Sequence, residues 1–468
     1  MDWQSGVPLL PPPPEKTGGG RWVPGAGGRL AEEVREECKK LWAVVGPAVF
    51  MQVVMYTMNI ASQAFVGHLG DRDLAAFSIA NTVVDGLNFG FFSAWRVETL
   101  CGQAYGARQY DMLGIYLQRS WLVLLAFAAL LSPAYVFSGR LLAAVGQPPE
   151  LSREAGLASV YMLPSFFMYA VLLPVNRFLQ CQRKNWVTAV TAAAVLPAHA
   201  AATWLLVRRL GLGVPGAAVA FDLSWVLFAA LQVAYALAGG CPETWTGFSP
   251  AAFVNLKEFV KLSASSGVMV CLENWYYRIL IFLTAYMKNA EVAVDALSIC
   301  MSLAGWELMI HLGFLAGTGV RVANELGAAN GKGARFATIV STATSLLISL
   351  FSSILALIFH DKLAVIFSSS KAVIDAVDGI SVLLALTILL NGVQPVLSGV
   401  AIGSGWQGLV AYVNIGSYYL IGIPFGVLLG WGFHYGVLGI WVGMICGTMV
   451  QTLILAWITL RCDWNEEH

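Results

Sequence analysis

Charged residues are scarce in this chain. Lysine and arginine number 27, as do aspartate and glutamate, so 12% of the 468 residues are charged while 58% are hydrophobic. Soluble proteins carry about 25% charged residues. Because a water-soluble core could not bury so much apolar side chain, we expect the bilayer to be the solvent. The formal net charge of zero gives no sign of a nucleic-acid partner, and we expect none.

Motifs of cofactor and metal chemistry are also missing. The eight cysteines show no CxxC or zinc-type spacing, which predicts packing thiols rather than a redox or metal site. Residues 330–334, NGKGA, lack the full glycine spacing and the hydroxyl residue of an ATP-binding loop. We therefore expect no metal, no cofactor and no enzyme activity. Asp71 and Asp73 resemble the DxD of sugar transferases, which leaves a polytopic membrane enzyme as a remote alternative.

Twelve apolar stretches, each about long enough to cross a bilayer, dominate what the sequence does contain. Lipid offers the backbone no hydrogen-bond partner, so each stretch is predicted to be a helix. The predicted spans are 41–67, 74–95, 120–137, 155–175, 186–207, 213–238, 262–286, 296–319, 336–359, 380–400, 409–431 and 435–460. The fold class is thus an all-α polytopic membrane protein with both termini on one side.

The two ends of the chain are predicted to be tails. Residues 1–36 are rich in proline and glycine, are expected to be disordered, and contain no signal-peptide pattern. Residues 462–468 form a short C-terminal tail. The two segments between them, 37–240 and 241–461, hold six predicted spans each.

These two segments echo each other at an offset of about 220 residues. Ala76-Phe77-Ser78-Ile79 corresponds to Ala296-Leu297-Ser298-Ile299, and the segment from Gln103 to Ala107 corresponds to that from Asn324 to Ala328. Matches in the same order at nearly one offset indicate an internal repeat. An even count of six spans per repeat predicts two parallel six-helix lobes, an arrangement typical of alternating-access carriers.

The distribution of basic residues predicts the orientation. The N-tail, the C-tail and the loops on their side hold 17 lysines and arginines, whereas the opposite loops hold 8. Basic residues concentrate on the cytoplasmic side of membrane proteins. Both termini are therefore predicted to be cytoplasmic.

Few ionisable residues fall inside the predicted spans. An ionisable group at the centre of a bilayer costs about 2.5–3.5 kcal/mol even on the most lenient scale, so each one requires a reason. These residues are Asp85, His199, Asp222, Glu273, Arg278, Glu307 and His311. Glu273 lies near the middle of its span, where a carboxyl could load and release a proton. It is our candidate proton carrier, with a structural acid as the alternative.

Other ionisable residues are candidates for the same task. Glu307 and His311 are four residues apart and so share one helix face, which fits either a proton relay or a self-satisfied pair. Asp85 lies at nearly the repeat position of Glu307 and is either its counterpart or a hydrogen-bonding group between helices. Asp222 and His199 are expected to be packing or loop-facing residues.

Aromatic side chains crowd the same depth as Glu273 and Glu307. Trp275, Tyr276, Tyr277 and Trp306 could wall a cavity for flat cationic or phenolic ligands. Gln52, near the repeat position of Glu273, joins this candidate substrate cavity. The alternative is that these aromatics belong to the membrane-interface belt and the core.

Several motifs together resemble those of plant transporters. They are QAFVGHLG (63–70), VETLCGQAYGA (97–107), CLENWYYRIL (271–280), VRVANELGAANGKGAR (320–335) and QPVLSGVAIGSGWQ (394–407). The sequence is similar, over about 38–464, to the multidrug and toxic compound extrusion (MATE) family in its plant detoxification group.

The resemblance implies the MATE fold, with twelve helices in two lobes around a central cavity, and cation-coupled export that is normally proton-driven in plants. Glu273 matches the family's acid in the second lobe. Some plant relatives carry a further acid where this chain has Asn391, which implies a hydrogen-bond partner and a one-proton mechanism. The family motifs also contain Glu98, and the repeat echo adds Gln103, Asn324 and Glu325.

One segment departs from the family pattern. Relatives run approximately LLGMASALETLCGQ, whereas this chain reads FFSAWRVETLCGQ (91–103), about two residues shorter and with Trp95-Arg96 inserted. A loss of two residues turns the following helix by about 200°.

These observations predict a proton-coupled antiporter that exports xenobiotics or cationic and phenolic metabolites. We expect a monomer in the plasma membrane or the vacuolar membrane, driven by the proton gradient and not by ATP. An uncoupled facilitative carrier for small organic solutes is the main alternative.

Overall fold

The structure is a computed structural model that describes residues 27–70, 73–74, 76–81, 97–144, 148–254, 256–257, 259–260, 268, 272–273, 275–276, 279, 283, 291–367 and 370–464. Its regular elements are helices, and these ranges contain no strand. In chain order the helices are α1 (Gly27–Gly67), α2 (Val97–Gly106), α3 (Tyr110–Val136), α4 (Ser138–Ala144), α5 (Pro149–Tyr161), α6 (Leu163–Cys181), α7 (Asn185–Thr203), α8 (Gly213–Tyr235), α9 (Glu291–Gly327), α10 (Gly331–Phe367), α11 (Lys371–Asn391), α12 (Gln394–Ser404), α13 (Gln407–Asn414), α14 (Ile423–Val427) and α15 (Gly436–Arg461). Short π-helical turns extend α7, α8, α13 and α14, at Trp204–Arg209, Ala236–Gly240, Ile415–Gly422 and Leu428–Gly432.

Many of these helices can cross a membrane. Within the described residues, nine helical segments are long and apolar enough, and α5 with α6, bent by 43° at their junction, would make a tenth. The predicted spans 74–95 and 262–286 lie largely outside the described residues. The chain is therefore an integral, multi-pass, helical membrane protein.

Both ends of the described chain lie on one side of the molecule. Near the start of α1, Glu37 pairs with Arg321, close to the end of α9. After α15, Trp464 packs against Leu326 of the same helix end. We call this side the terminal face. Glu37 and Trp464 thus lie at the same end of α9.

The first helix begins earlier than the composition predicts. α1 starts at Gly27 and runs unbroken to Gly67, although residues up to 36 were expected to be a disordered tail. Charged residues fill its first turns, and Lys39 pairs with Glu36 at 2.5 Å. Residues 1–26 lie outside the described residues.

The predicted span 380–400 lies within one candidate membrane span, Lys371–Ser404, whose helix is interrupted after Asn391. α11 ends at Asn391 and α12 begins at Gln394. Pro395, near the start of α12, has no N–H to donate, and its ring would clash with the carbonyl of Asn391 in a continuous helix. Gly392 allows close approach to α10, because a Cβ there would overlap the Ser349 hydroxyl. We call residues 391–394 the helix break.

α9 is the helix that joins the two halves of the chain. It packs against α1 and α2 from the first half and against α10, α11 and α12 from the second. Glycines permit this close packing, since a Cβ at Gly313 or Gly317 would overlap Val49 or Val45 of α1. The side chains placed on α9 can therefore contact both halves of the molecule.

Candidate functional site

A first buried acid cluster forms where α9, α10 and α11 meet. Glu307 Oε1 and His311 Nε2, one helical turn apart, are separated by 2.5 Å. His311 Nδ1 lies 2.7 Å from the Ser345 hydroxyl of α10. His311 is fully buried and Glu307 is 8% exposed. The structure thus brings together the two residues that the sequence spacing placed on one helix face.

Asn391 completes this cluster from the edge of the helix break. Its Nδ2 donates to Glu307 Oε2 at 3.4 Å. A small cleft between α11 and α15 adjoins this amide. It is lined by Thr387, Leu390, Asn391, Met444, Ile445 and Thr448. The partners that the structure shows for Glu307 are thus an imidazole and an amide, neither of which carries a fixed charge.

A second acid cluster lies on the other side of the helix break. Gln394 Nε2 donates to Glu273 Oε1, and the same nitrogen donates to the Ser398 hydroxyl at 3.1 Å. Glu273 is partly buried, whereas Gln394 and Ser398 are buried. No charged side chain among the described residues forms an ion pair with Glu273. The helix break therefore presents one amide to each of the two predicted acids.

The predicted cavity aromatics do not all share one environment. Tyr276 is fully buried and stacks on Tyr418 with ring centroids 4.2 Å apart. Its hydroxyl donates to the carbonyls of Gly443 and Met444 at 3.1 and 3.0 Å. The structure therefore places Tyr276 in the packed interior of the second half, while Trp275 beside it is 54% exposed.

Trp306 and Gln52, two other predicted cavity residues, are not fully buried. Trp306, next to Glu307 on α9, is 43% exposed. Its ring lies edge-on to Tyr56 of α1, with centroids 5.2 Å apart. Gln52 is partly buried one turn before Tyr56. These side chains bring an aromatic and polar surface to the level of the first acid cluster.

Several predicted residues lie outside the described residues. They are Asp85, Trp95, Arg96, Tyr277 and Arg278, together with the side chain of Glu98. Their roles stay predictions.

Asp222 and His199 are two buried titratable residues of the first half with structural partners. Asp222 accepts a hydrogen bond from the backbone N–H of Ser165 at 3.0 Å. His199 lies 2.8 Å from the Ser224 hydroxyl and 3.0 Å from the Ser62 hydroxyl. The Asp222 contact joins α8 to α6, and the His199 contacts join α7 to both α1 and α8. Both fit the packing role expected for these residues.

An ion-pair cluster joins α1 and α9 at the terminal face. Arg321 of α9 donates to Glu37 Oε1 of α1 through Nε at 2.9 Å and Nη2 at 2.7 Å. Nη2 also donates to Glu325 at 2.7 Å. Arg321 is 1% exposed. Glu325, a predicted motif residue, thus contacts Arg321. The sequence reasoning missed the pair of Glu37 and Arg321.

The other motif residues pack around this cluster. Asn324 is buried and donates to the carbonyl of Cys181 at 3.4 Å. Gln103 of α2 lies against α9 so closely that a Cβ at Gly327 would overlap its carbonyl. The ELG and QAYG motifs that echo each other in sequence therefore meet in space.

Gln394 is a further residue that sequence reasoning missed. Its signal was present, because a polar residue directly before Pro395 marks the start of a new helix within an apolar span. No such local signal identifies Glu37 or Arg321, since their contact joins residues far apart in the chain.

One group of side chains among the described residues could approach a metal ion. His360, Asp361 and Asp378 lie between α10 and α11, at the face opposite the terminal face, with their ligand atoms within 4.8 Å of one another. His360 Nε2 is already 2.7 Å from Asp378 and 3.2 Å from Asp361. The two carboxylates are exposed, and the contact is explained as a surface ion pair.

Comparison with known proteins agrees with this arrangement of helices and motifs. The family model MatE matches residues 47–205 and 266–428. Protein DETOXIFICATION 27 of Arabidopsis thaliana is 56% identical over 441 residues, which cover 94% of this chain and 91% of that protein. Protein DETOXIFICATION 28 of the same plant is 53% identical over 443 residues, or 94% and 90% of the two chains.

A solved structure shows the same fold. The crystal structure of the eukaryotic MATE transporter AtDTX14 superimposes with a TM-score of 0.87 at 33% identity, over 93% of this chain and 98% of that one. The family model and the relatives span both halves of the sequence, including the acid clusters. The chain therefore belongs to the MatE family and is a membrane transporter rather than an enzyme.

Proposed function

We propose that this transporter is a proton-coupled antiporter that exports small organic compounds from the cytosol. The observation that carries the proposal is the nature of the groups around the two acids. Glu273 is held by an amide, and Glu307 by an imidazole and an amide. Because no fixed cation is paired with them in the described chain, each carboxyl can gain a proton without leaving a buried cation alone.

The finer arrangement of the helices is part of the proposal. Twelve spans would form two six-helix lobes, residues 37–240 and 241–461, that tilt against each other. The surplus of basic residues in the tails and their neighbouring loops makes the terminal face cytoplasmic. In the described conformation the Glu37–Arg321 pair then closes the cytoplasmic side, and cargo leaves on the opposite side.

We propose that proton binding and release occur at Glu273, with Glu307 and His311 as a second exchange site. His311 contacts Glu307 at one nitrogen and Ser345 at the other, so a proton taken up at either end can be passed along the ring. The gradient supplies the driving force, and the proposal requires neither ATP nor a bound cofactor.

The proposed cargo is a flat organic cation or a phenolic compound. The exposed ring of Trp306, with Tyr56 against its edge, provides an aromatic surface one residue from Glu307. Aromatic faces attract cations by about 0.5–2 kcal/mol, depending on how far the contact is dry. The protein would act as a monomer in the plasma membrane or the vacuolar membrane.

The test is transport by purified protein in liposomes loaded with a fluorescent aromatic cation. An imposed pH gradient is expected to drive efflux through the wild type, and Glu273→Gln is expected to remove the gradient dependence. Asp222→Asn is a matched control, because it also converts a buried carboxyl to an amide but keeps the oxygen that accepts from Ser165. It should transport like the wild type.

Two outcomes would count against the proposal. If Glu273→Gln retains gradient-driven efflux, the carboxyl is not the coupling group. If the wild type itself moves the cation at a rate independent of the gradient, the protein is an uncoupled facilitative carrier, the alternative that the sequence also allows.

A further inference from the structure

Gln394 is placed to hold the Glu273 carboxyl through an amide that faces two oxygens at once. Its Nε2 donates to Glu273 Oε1 and to Ser398 Oγ, so both amide hydrogens are directed at acceptors. Gln394 is 6% exposed and Ser398 is fully buried. Since the amide is enclosed, water cannot readily replace it as the partner of Glu273.

The same three side chains can also accommodate a protonated acid. When Glu273 is ionised, it accepts from Nε2, and the Ser398 oxygen accepts as well. When Glu273 is protonated, its O–H needs an acceptor, and a rotation of the Gln394 amide by about 180° brings Oε1 to the position of Nε2. Ser398 can then donate its hydroxyl hydrogen to that oxygen, because a hydroxyl serves as either donor or acceptor.

We propose that Gln394 is the positioning residue that keeps the Glu273 carboxyl bound in both of its protonation states by turning its amide over, with Ser398 reversing its hydroxyl. This inference rests on the proposed function of Glu273 as the proton carrier. A lysine or an arginine at this position could only donate and would hold the acid in its ionised form. An apolar residue would hold neither form.

The backbone around Gln394 allows this rotation without a movement of the helix. Pro395 and the helix break fix the start of α12. Further along, α12 lies directly on α9, because a Cβ at Gly399 would overlap the carbonyl of Leu315. The amide can therefore turn about its own side-chain bonds while its anchor stays in place.

Among the described residues, other groups that could take over this task already have partners. On α9, the titratable groups of the first acid cluster, Glu307 and His311, are paired with each other. From the π-helical turn after α13, the Tyr419 hydroxyl donates to the carbonyl of Leu272 and is thus occupied. Arg278, on the same span as Glu273, lies outside the described residues.

The test compares the pH dependence of efflux in Gln394→Met with that of the wild type. Methionine has a similar length but lacks the amide. The ionised acid loses a stronger hydrogen bond than the protonated acid does, because hydrogen bonds to charged groups are the stronger ones. The pH of half-maximal gradient-driven efflux should therefore move to higher pH by about one unit.

A second readout and a control keep the result interpretable. The infrared band of the protonated carboxyl can be assigned to Glu273 by its loss in Glu273→Gln. In Gln394→Met, the pH at which this band is half lost should rise by the same amount, even if transport is slow. Gln232→Met is the matched control, because Gln232 is also a buried glutamine that donates to a hydroxyl, that of Thr191 at 3.2 Å. Its pH profile should match that of the wild type.

Different outcomes would overturn different statements. If Glu273→Gln removes the coupling but Gln394→Met titrates like the wild type by both readouts, the role of Gln394 is wrong and the proposed function stands. If Gln232→Met shifts the profile as far as Gln394→Met does, the effect is general and the role of Gln394 is also wrong. If Glu273→Gln itself leaves gradient-driven efflux intact, both the proposed function and this inference fail.

Discussion

The pair of Glu37 and Arg321 should set how often the terminal face opens. Glu37 accepts two hydrogen bonds from Arg321, and both residues are buried between α1 and α9. Each partner also has a second contact on its own helix, Arg321 with Glu325 at 2.7 Å and Glu37 with Lys40 at 3.7 Å. When the helices part, both charges therefore keep a partner, and the contact can break and form again.

Glu37→Gln should favour the open form of this face. The neutral amide keeps one oxygen that can accept from Arg321 but loses the charge, and a hydrogen bond to a charged group contributes about 1.5–3 kcal/mol. In the open form, water and Lys40 replace the contact of residue 37 with Arg321. The substitution therefore destabilises mainly the closed form. A difference of about 2 kcal/mol corresponds to roughly a 30-fold rise in the open population.

Alkylation of Cys181 provides the assay. This thiol is buried at the terminal face, where the carbonyl of Cys181 accepts from Asn324 of α9. In a variant that keeps Cys181 as its single cysteine, the rate of reaction with a maleimide should follow the open population when closing is faster than reaction. Glu37→Gln should raise this rate about 30-fold.

The neighbouring Glu36 supplies the control. It pairs with Lys39 on the surface, and its side chain is 54% exposed, so Glu36→Gln should leave the Cys181 rate unchanged. Glu325→Gln should not raise it either, because the pair between α1 and α9 remains. An unchanged rate in Glu37→Gln, or an equal rise in Glu36→Gln, would refute the reasoning.

Two further predictions concern packing. Gly327→Ala should force α2 away from α9, since the new methyl group would overlap the carbonyl of Gln103. The Cys181 alkylation rate should then rise as it does in Glu37→Gln. A rate equal to that of the wild type would contradict the contact between α2 and α9. Tyr276→Phe should lower the free energy of unfolding by about 1–2 kcal/mol, through loss of its hydrogen bonds to two carbonyls, without weakening cargo binding. Trp306→Ala should instead weaken the binding of an aromatic cation about fivefold. Equal effects of the two substitutions on binding would contradict their different placement.

The sequence predicted the class of the fold because lipid allows so few solutions. A hydrophobic stretch in a bilayer must form a helix, so the apolar stretches located the spans without any knowledge of their packing. Helix ends were less predictable. α1 begins at Gly27 because residues 27–36, although polar, continue a helix that is already formed, and continuing a helix is easier than starting one.

The site was predictable in part. Glu307 and His311 share a face because of helical geometry, and the structure shows them in contact. The placement of Trp275 and Tyr276 was harder, because adjacent residues on a helix point about 100° apart. Depth in the membrane is the same for both, but only the packing of neighbouring helices decides which one is buried. The stacking partner Tyr418 lies far along the chain and could not be inferred.

Contacts between distant segments escaped the sequence reasoning altogether. The partners Glu37 and Arg321 are 284 residues apart, and both lie outside the predicted spans, so neither was counted as an intramembrane charge. The helix break at 391–394 was missed for a different reason. Gly392 and Pro395 are visible signals of a break, but the apolar run around them was long enough to be read as one span.

The arrangement of α9 suggests how the proposed proton site and the terminal face could influence each other. Glu307 and Arg321 lie on this helix, separated by 14 residues, which is about 21 Å along the axis and close to four full turns. Both therefore point to nearly the same side of α9. α12, which starts at the amide that holds Glu273, lies against α9 between these two levels, through Gly399 and Gly403. A shift of α9 or α12 at the acid clusters would thus be carried along one continuous helix to the pair of Arg321 with Glu37, and no chain of intermediate side chains is required.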